Sequence, residues 1–592
     1  MPPEGTVIAA LERTVALHSD RPALRAKREG LWTTLTWSDY YDQVRTVARG
    51  LMALGVAPGS GVVILGFNRP QWFLADLGAI AAGALPAGIY TTSPADQCHY
   101  VASHCDARVA ILEDVDQLEK FREIHLALPR LEAIVLMVGE SDKPGVLSWN
   151  ELLALADQVG ESDLDERIAA QGPDDVCTLI YTSGTTGPPK AVMLRHRNIL
   201  WVVDRLVETY RLRSTDSLLS YLPLSHIAEQ IISLHSPLST GCCTWFAESL
   251  ELLPENLREV RPHFFFAVPR VWEKMQAKIE AVAAESPEWK RRLGRWAKGL
   301  AEAAGEADQR GVTRPRLFLI ADRLVLAGIR AKLGLDRARV AATGAAPTPK
   351  HTLDFFLGLG IPILEVYGMS ECTGPATLST HTSYRLGAAG RTISGAELDL
   401  AADGEILIRG PHVFAGYFKD ERATREAVDA DGWLHSGDVG TLDADGFLTV
   451  TDRKKELLIT SGGKNVAPQP IENRLKAIRG VALAAVVGDG RKHLAALLTL
   501  DDDALGGLAA DLGSQATDAA QAADCPKLHA YFEAQIDNVN TALASFETIK
   551  RFSILPQAFS IDTDELTPTM KLRRHVVTSR YAAEIDALYP DS

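Results

Sequence analysis

The sequence predicts an α/β fold, with a large N-terminal domain of mixed sheets and helices and a smaller α+β C-terminal domain. With 592 residues, the chain is too long for one ordinary hydrophobic core. Up to about residue 250, short apolar runs alternate with longer helical patterns, which is typical of a mostly parallel sheet with helices on its faces. After Gly390 the pattern changes to short strands separated by Asp-Gly turns, which favours hairpins.

The individual elements follow from the spacing of the apolar residues. Buried strands are predicted in the first half of the chain at 62–67, 109–112, 133–137 and 178–181. Charges spaced among Ala, Leu and Trp at helical intervals predict two or three amphipathic helices over 272–332. Later strands are predicted at 405–409, 449–451, 456–460, 484–488 and 494–500, with turns at 403, 431 and 445 and a helical stretch over 501–524.

Composition narrows the class of protein. Hydrophobic residues make up 46% and charged residues 23%, as in a folded globular protein. The seven cysteines form no CxxC pair, which argues against a disulfide framework and a zinc site. The N-terminus has no signal-peptide pattern, and Asp76 and Pro86 interrupt the most apolar window, 73–90, so we expect a cytoplasmic protein without a transmembrane helix.

The net charge bears on the partners. A formal charge of −15 argues against a nucleic-acid partner, because phosphate binding needs a basic face. Composition leaves peripheral contact with a membrane open, and it does not fix the oligomeric state.

One string has the chemistry of a phosphate-binding loop. Residues 181–190 read Tyr-Thr-Ser-Gly-Thr-Thr-Gly-Pro-Pro-Lys and follow an apolar strand. Glycines let the backbone approach an anion, hydroxyls and amides donate to phosphate oxygens, and Lys190 adds positive charge. Glycines alone would favour a plain surface turn. A Walker-type NTPase loop is excluded by spacing, because two prolines separate Gly187 from Lys190 and no Gly-Lys-Ser/Thr follows.

Six further strings follow in order along the chain. They are Tyr-Leu-Pro-Leu-Ser-His at 221–226, Thr-Gly-Ala-Ala-Pro at 343–347, Tyr-Gly-Met-Ser-Glu at 367–371, Trp-Leu-His-Ser-Gly-Asp at 433–438, Asp-Arg-Lys-Lys-Glu at 452–456 and Pro-Thr-Met-Lys at 568–571. With these seven strings, nearly the entire chain resembles the adenylate-forming superfamily of acyl-CoA ligases, peptide-synthetase adenylation domains and firefly luciferase. The residues at 220–228, 269–274 and 565–571 are most similar to those of long-chain fatty acid-CoA ligases of the bubblegum type.

The resemblance implies an activity and a division of labour. It implies that a long-chain fatty acid is activated with ATP and Mg²⁺ to an acyl-adenylate, with release of pyrophosphate, and is then transferred to coenzyme A. Residues 1–454 would form the N-terminal domain that binds ATP and the acyl group. Residues 455–592 would form a mobile C-terminal domain that carries the catalytic lysine and the loop for the thioester step.

The resemblance also implies roles for individual residues. The catalytic set would be Lys571, His226 and Glu371, and the metal would contact Thr182 and Glu371. The ATP or AMP site would comprise Thr182, Ser183, Gly184, Thr185, Thr186, Gly187, Lys190, Gly344, Ala345, Ala346, Tyr367, Gly368, Met369, Ser370, Asp438, Arg453 and Lys571. Coenzyme A would pass Gly462, Gly463 and Lys464, and Lys455 would be the hinge. Two positions depart from the family pattern: Ala191 stands where glycine is usual, and Ser370 where threonine is commoner.

Several alternatives stay open at this stage. An apolar tunnel for a long acyl chain could be lined by Ile231, Leu234, Phe264, Phe265 and Phe266, although such residues are more often plain core. The acyl group could instead pass to the phosphopantetheine of a separate carrier protein. A third alternative is a nucleotide-binding homologue that has lost catalysis, against which the retained lysine at 571 argues.

Overall fold

Two groups of hydrophobic cores divide the chain. The computed structural model describes residues 5–182, 188–462, 464–561, 563–567 and 571–590, apart from the side chains of residues 465 and 503. Four buried clusters are built from residues 7–448, and two more from residues 458–589. We call residues 5–454 the large part and residues 455–590 the small part.

The strands of the large part form three sheets. In chain order they are β1 Pro22–Arg28, β2 Leu31–Thr36, β3 Gly61–Leu65, β4 Leu85–Ile89, β5 Ala107–Leu112, β6 Ala133–Leu136, β7 Val146–Ser148, β8 Val176–Thr182, β9 Lys190–Arg195, β10 Ser217–Ser220, β11 Cys243–Phe246, β12 Phe264–Ala267, β13 Val340–Thr343, β14 Ile363–Met369, β15 Gly374–Leu378, β16 Arg391–Thr392, β17 Glu397–Leu400, β18 Glu405–Arg409, β19 Gly416–Tyr417, β20 Leu434–Leu442 and β21 Leu448–Arg453.

Two of these sheets are mostly parallel, and the third is antiparallel. The first has the strand order β19-β9-β8-β4-β3-β5-β6-β7 and is parallel from β8 to β7. The second has the order β16-β15-β14-β13-β12-β10-β11-β1-β2 and is parallel from β14 to β1. Strands β17, β18, β20 and β21 form the antiparallel sheet.

Helices cover and separate these sheets. In chain order they are α1 Val7–His18, α2 Trp37–Ala53, α3 Pro70–Ala81, α4 Ala95–His104, α5 Val115–Ile124, α6 Trp149–Leu155, α7 Glu161–Ala169, α8 His196–Tyr210, α9 Ile227–Glu229, α10 Ser236–Thr240, α11 Leu253–Val260, α12 Pro269–Ala284, α13 Glu288–Gln309, α14 Phe318–Ala321, α15 Ala327–Leu333, α16 Lys350–Leu357 and α17 Glu421–Ala427. Short 3₁₀ turns occur at His125–Ala127, Ala156–Gln158 and Ser370–Cys372, and π-helical turns at Gln230–His235 and Asp322–Leu326.

The small part begins at the 3₁₀ turn Lys454–Glu456 and mixes strands with helices. Its strands are β22 Leu458–Ile459, β23 Asn465–Val466, β24 Val481–Val487, β25 Leu494–Leu500 and β26 Ile549–Ile554, and its helices are α18 Pro468–Lys476, α19 Asp502–Asp511, α20 Ala519–Ala523, α21 Pro526–Asn540, α22 Arg574–Arg580 and α23 Ala582–Ala587. Strands β24 and β25 are antiparallel, and β26 joins β25 in parallel.

The α/β fold class with a large and a small part is confirmed, and most predicted strands and helices are present. Two details were wrong. The first half of the chain contributes to two sheets rather than one, because β1, β2, β10 and β11 belong to a second sheet, in which β10 pairs with β12 from beyond residue 260. The strand expected at 456–460 shrinks to β22, because Lys454–Glu456 forms a 3₁₀ turn at the junction of the two parts.

The most apolar window proves to be internal structure. Residues 73–90 belong to α3 and β4, whose side chains are almost all buried in the core. In the described part of the chain, no helix combines the length and apolarity that a membrane crossing requires. All seven cysteines are free thiols, and only Cys243 and Cys525 are partly exposed.

Candidate active site

A large cavity lies where the small part meets the large part. Its volume is about 1230 Å³, and all seven sequence motifs contribute lining residues. From the large part come the ends of β8, β9, β14, β20 and β21, and from the small part comes the loop before α22. Residues separated by hundreds of positions therefore meet in one space.

Two neighbouring strands place an aspartate and an arginine side by side in the cavity. Asp438 on β20 is the cross-strand partner of Arg453 on β21, and Arg453 Nε lies 3.4 Å from Asp438 Oδ1. The hydroxyl of Tyr367, at the end of β14, donates to Asp438 Oδ2 over 2.8 Å. The carboxylate is thus held from two sides while it faces the cavity. Tyr367, which the resemblance assigned to the ATP or AMP site, also lines the cavity and holds Asp438 in place.

Glu405 orders the turn that precedes Asp438, a role that no sequence motif indicated. It is 6% exposed and accepts hydrogen bonds from Gly437 N at 3.0 Å, His435 Nδ1 at 3.3 Å and Lys454 Nζ at 2.9 Å. Burial opposes ionisation, but these donors, led by Lys454, hold the pKa of Glu405 below its usual value. An ionised buried carboxylate with three donors fixes the backbone of the turn.

Glu371 lies in a second polar cluster, just after the end of β14. It is 7% exposed in the 3₁₀ turn Ser370–Cys372, and the Tyr417 hydroxyl donates to its Oε1 over 2.8 Å. Burial raises the pKa of Glu371, and the Tyr417 hydrogen bond opposes that shift. Lys190 Nζ lies 4.6 Å from the centre of the Tyr417 ring, a cation–π contact. Tyr417 therefore links two predicted site residues, and no motif contained it.

The backbone of the cavity wall is tightly constrained at two positions. Ala345 adopts a φ of +68°, in the left-handed region that residues with a side chain rarely occupy. A Cβ on Gly368 would come within 1.8 Å of the Gly374 carbonyl oxygen, so only glycine fits there. Strained or closely packed backbone that persists beside a cavity is typical of a functional site.

His226 presents a neutral imidazole to the cavity. Its Nδ1 accepts a hydrogen bond from Ala228 N at 3.2 Å. Burial, together with the charge of Lys571, lowers the pKa of His226 to about 4. A neutral ring that accepts at Nδ1 carries its proton on Nε2, so His226 offers a donor at neutral pH.

The small part delivers Lys571 into this cavity. Thr567 N donates to Lys571 O over 2.8 Å, and Lys571 N donates to Thr567 Oγ1 over 3.0 Å. Leu566 and Leu572 form a β-bridge beside them, so the lysine lies on one arm of a narrow loop. Burial and the charge of Arg453 lower the pKa of Lys571 to about 8, against the opposing effect of the carboxylates of Asp438, Glu456 and Glu371.

An apolar wall extends from the polar centre. It includes Ile231, Ile232, Phe264, Phe266, Leu206 and Leu378. Three of the five predicted tunnel residues thus reach the cavity. Leu234 and Phe265 are plain core residues, 1% exposed within hydrophobic clusters, which is the other alternative that the sequence left open. Phe265 points to the opposite face of β12 from its two neighbours, because side chains alternate along a strand.

The other predicted residues divide into three groups. Thr182, Ala346, Met369, Ser370 and Lys455 line the cavity. Gly344 lies just behind the wall, where a Cβ would approach Val366 Cγ2 to 2.8 Å. Ser183, Gly184, Thr185, Thr186, Gly187 and Gly463 lie outside the described residues.

Two predicted positions lie away from the cavity, and one departure is accommodated. Gly462 and Lys464 belong to the exposed hairpin of β22 and β23, so their role towards coenzyme A stays a prediction. Ala191 is buried on β9 and is not among the residues with positive φ, so the methyl group fits.

Comparison with known families gives two matches. The family model of the AMP-binding enzyme matches residues 11–418. The model of the AMP-binding enzyme C-terminal domain matches residues 455–592. Together they account for most of the chain.

Curated relatives match over the full length. The long-chain-fatty-acid–CoA ligase ACSBG2 of Xenopus laevis is 41% identical, over 100% of this chain and 84% of that protein. ACSBG2 of Homo sapiens is 37% identical, over 96% of this chain and 90% of that protein. The long-chain-fatty-acid–CoA ligase ACSBG1 of Bos taurus is 38% identical, over 99% and 85% respectively.

Solved structures share the fold at low sequence identity. The anthranilate CoA ligase AuaEII in complex with anthranoyl-AMP has a TM-score of 0.75 and 21% identity, over 99% of both chains. ATP-bound MatB from Rhodopseudomonas palustris has a TM-score of 0.70 and 19% identity, over 98% of this chain and 99% of that one.

Proposed function

Because this chain belongs to the family of AMP-binding enzymes, we propose that it is a long-chain fatty acid-CoA ligase that works through an acyl-adenylate. The carboxylate of the fatty acid attacks the α-phosphorus of ATP, a new O–P bond forms, and pyrophosphate leaves. The thiol of coenzyme A then attacks the acyl carbonyl, and AMP leaves. The names of relatives at 37–41% identity support the long chain and coenzyme A as the acceptor.

One observation carries the proposal: a single cavity holds a polar centre and an apolar wall. Asp438, Arg453 and Lys571 supply charge for a nucleotide and for the reacting carboxylate. Phe264, Phe266 and their apolar neighbours supply a surface that an alkyl chain can cover. An enzyme that joins a fatty acid to a nucleotide needs both surfaces within reach of one reacting phosphorus.

We propose that the nucleotide binds at Asp438 and Arg453, the neighbouring pair of the large part. The carboxylate of Asp438 can accept hydrogen bonds from ribose hydroxyls, and Arg453 can donate to the sugar or to the α-phosphate. The closely packed backbone at Gly368 and the small side chains of Ala345 and Ala346 leave room for a flat base against Tyr367. His226 offers its Nε2 proton to an oxygen of the reacting carboxylate or phosphate.

We propose that Lys571 supplies the positive charge that stabilises the first step, formation of the acyl-adenylate. Its ammonium group would neutralise the charge that gathers as a carboxylate approaches a phosphate, which preorganised donors stabilise strongly. A pKa of about 8 leaves it mostly protonated at neutral pH, and the phosphates of bound ATP would favour the charged form further.

Magnesium fits this site as an ion shared with ATP. Among the described residues, no group of three or more His, Cys, Asp or Glu could hold a metal alone. Mg²⁺ commonly uses one or two protein ligands together with substrate phosphates and water. Glu371, ionised, and the hydroxyl of Thr182 would hold it, and it would supply charge neutralisation to the phosphates.

The second step is assigned to a reorientation of the small part about Lys455. This residue is exposed in the 3₁₀ turn that separates the two groups of cores. Rotation there would withdraw Lys571 and bring the hairpin with Gly462, Gly463 and Lys464 towards the pantetheine arm of coenzyme A. We propose residues 1–454 and 455–592 as the two domains and the cytoplasm as the location.

A pyrophosphate-release assay tests the proposal. With ATP and Mg²⁺, release should require a fatty acid and increase towards long chains, and added coenzyme A should yield the acyl-CoA. Release with aromatic or amino acids alone would refute the acyl assignment. Acyl-adenylate that transfers only to a carrier-protein phosphopantetheine would favour the carrier alternative, and no release with any acid would favour a non-catalytic nucleotide-binding protein.

A further inference from the structure

Helix α13 exposes an apolar stripe. Trp289, Leu293 and Trp296 are 64%, 40% and 40% exposed. Their spacing of four and three residues places them on one side of the helix, within an arc of roughly 60° at about 100° per residue. Large aromatic and aliphatic side chains aligned in this way are rarely left to water on a helix of a soluble protein.

A second stripe follows on the neighbouring helical segment. Leu317, Ile320 and Leu324 are 53%, 51% and 71% exposed, and again fall at intervals of three and four residues. Leu319, beside them, is 72% exposed. Two helical stripes of this kind within 36 residues, 289–324, set this region apart from the scattered exposed residues elsewhere.

The two stripes belong to one packed unit. Helix α13 contacts α14 and the π-helical turn Asp322–Leu326, and a small core of Ala297, Ala301, Ala321 and Leu326 joins them. The apolar side chains that face outward are therefore not needed to hold the unit together. We call Trp289, Leu293, Trp296, Leu317, Leu319, Ile320 and Leu324 the helical patch.

The charge around the helical patch is opposite to that of the whole protein. Residues 288–332 contain eleven Lys and Arg against five Asp and Glu, a net charge of +6 in a chain of −15. Arg292, Arg316 and Arg323 are exposed and have no ion-pair partner in the part of the chain that the structure describes. The patch is thus apolar at its centre and basic around it.

The helical patch also has a structural connection to the cavity. At the C-terminal end of α13, Gln309 Oε1 accepts a hydrogen bond from Leu386 N over 3.1 Å. The next residue, Gly387, lines the cavity and donates to Glu365 Oε2 over 2.6 Å. The surface stripe and the wall of the acyl cavity therefore belong to adjoining elements.

We propose that the helical patch docks the protein on the surface of an anionic lipid bilayer. Trp, Leu and Ile would enter the headgroup and upper acyl region, and the surrounding Arg and Lys would contact the headgroup phosphates. The excess of basic charge around the apolar centre suits the negative surface of a bilayer that contains anionic lipids. Docking there would take the fatty acid from the layer in which it is dissolved, a step that rests on the proposed function.

Vesicle sedimentation with the full chain tests the docking. The protein should bind vesicles of phosphatidylcholine with phosphatidylserine more strongly than vesicles of phosphatidylcholine alone, and added salt should weaken the binding. Trp289→Gln with Trp296→Gln, and Ile320→Gln with Leu324→Gln, should each lower the partition coefficient by roughly tenfold or more. Arg316→Glu with Arg323→Glu should remove most of the preference for phosphatidylserine.

A matched control makes the same change outside the patch. Leu31 and Leu126 are 75% and 89% exposed, and Leu31→Gln with Leu126→Gln should leave vesicle binding unchanged. All these side chains face water, so every variant should keep the unfolding temperature of the parent. Absence of vesicle binding by the parent, or equal binding by the patch and control variants, would overturn the proposal, even if the patch later proves to bind a protein.

A second measurement separates docking from catalysis. With a soluble medium-chain acid, the patch variants should match the parent rate; with a long-chain acid embedded in vesicles, they should be slower. If no acid supports acyl-CoA formation in any variant while vesicle binding follows the pattern above, the proposed function fails and the docking surface stands. If the variants lose vesicle binding but not the rate with embedded acid, the surface does not supply the substrate.

Discussion

The large part and the small part hold their site residues in different ways. Asp438 and Arg453 are cross-strand neighbours, and Tyr367 binds the same carboxylate from a third strand. Within the described residues, the backbone of Lys571 is hydrogen-bonded to Thr567 of its own loop. The first arrangement is rigid because strands determine it, whereas the second depends on where the whole small part lies. The position of Asp438 and Arg453 therefore follows from the fold of the large part, whereas the position of the Lys571 charge depends on the placement of the small part.

The polar contacts between the two parts agree with a small part that can change its position. Gln469 N, at the start of α18, donates to Asp452 Oδ2 over 3.0 Å. Among the residues that the structure describes, two ion pairs cross the boundary, Lys476 with Glu273 at 3.4 Å and Arg270 with Asp501 at 3.9 Å. Partly exposed ion pairs contribute about 0–1 kcal/mol each. These polar contacts hold the small part weakly enough for a change of position to be accessible.

The largest expected effect follows from removal of the delivered charge. Lys571→Ala should slow formation of the acyl-adenylate by on the order of 10²–10³, the usual cost of one preorganised stabilising contact. Thioester formation from supplied acyl-adenylate should survive, because the proposed rotation withdraws Lys571 in that step. Single-turnover assays of both half-reactions measure the difference.

Lys550→Ala provides the control, since Lys550 is an exposed lysine of the same part. It should change neither half-reaction. Equal loss of both half-reactions in Lys571→Ala, with a lower unfolding temperature, would mean that the lysine is structural and that the contrast between the two parts is false.

A substitution of Asp438, which Arg453 and Tyr367 hold in place, should affect both half-reactions. Asp438→Asn removes a charged acceptor for ribose and leaves Tyr367 with a weaker partner. Loss of a hydrogen bond to a charged group should weaken nucleotide binding by about 10- to 100-fold. The KM for ATP in adenylation and the affinity for acyl-adenylate in thioester formation should change together. A defect confined to one half-reaction would show that Asp438 also depends on the position of the small part.

The pH dependence offers a milder test without mutation of the parent. Because burial and Arg453 lower the pKa of Lys571 to about 8, the charged form is present below pH 8 and is lost above it. The kcat/KM of adenylation should therefore fall by about tenfold for each pH unit above 8, since this parameter reports the free enzyme. Lys571→Arg keeps its charge and should flatten this limb, whatever its rate at neutral pH. A limb that persists in that variant would assign the titration to another group.

The smallest effect on activity is expected deep in the large part. Asp76 is 1% exposed on α3, neither of its oxygens has a hydrogen-bond partner in the part of the chain that the structure describes, and burial raises its pKa to about 8. The unfolded chain ionises near pH 4, so this group destabilises the native state progressively as the pH rises towards 8. Asp76→Asn should leave both half-reactions unchanged.

The stability of the large part should nevertheless respond to that substitution. Between pH 5 and pH 7 the parent should lose about 1.4 kcal/mol of unfolding free energy per pH unit more than Asp76→Asn. Thermal unfolding at several pH values measures this, and parallel curves for the two proteins would show that Asp76 is ionised in the native state.

Much of the fold and the polar centre could be predicted because the signals are local. Strands such as β25 and β18 matched their predicted ends, since apolar runs bounded by turn residues leave little choice. The resemblance to a known family brought the seven motifs together, and the string at 181–190 also has residue types that suit phosphate. That part of the site required no knowledge of how the chain folds.

What the sequence did not reveal depends on contacts between distant residues. Tyr417 reaches Glu371 across 46 positions, and Glu405 reaches Gly437 across 32, without a motif around Tyr417 or Glu405. The run Phe264–Phe265–Phe266 could not indicate which rings face the cavity, because a strand buried on both faces has no polar side to set its phase. Only the pairing of β12 with β10 and β13 decides it.

The small part carries a free thiol, Cys525, to which a fluorescent dye can be attached. Cys525 is partly exposed, and its hydrogen bond with Ser514 lowers its pKa, whereas burial raises the pKa of Cys243 to about 12. Since the thiolate is the reactive form, a maleimide dye should attach first at Cys525 without removal of any other cysteine. Fluorescence anisotropy or energy transfer from that position would then test the proposed rotation of the small part during turnover, in the unmodified sequence.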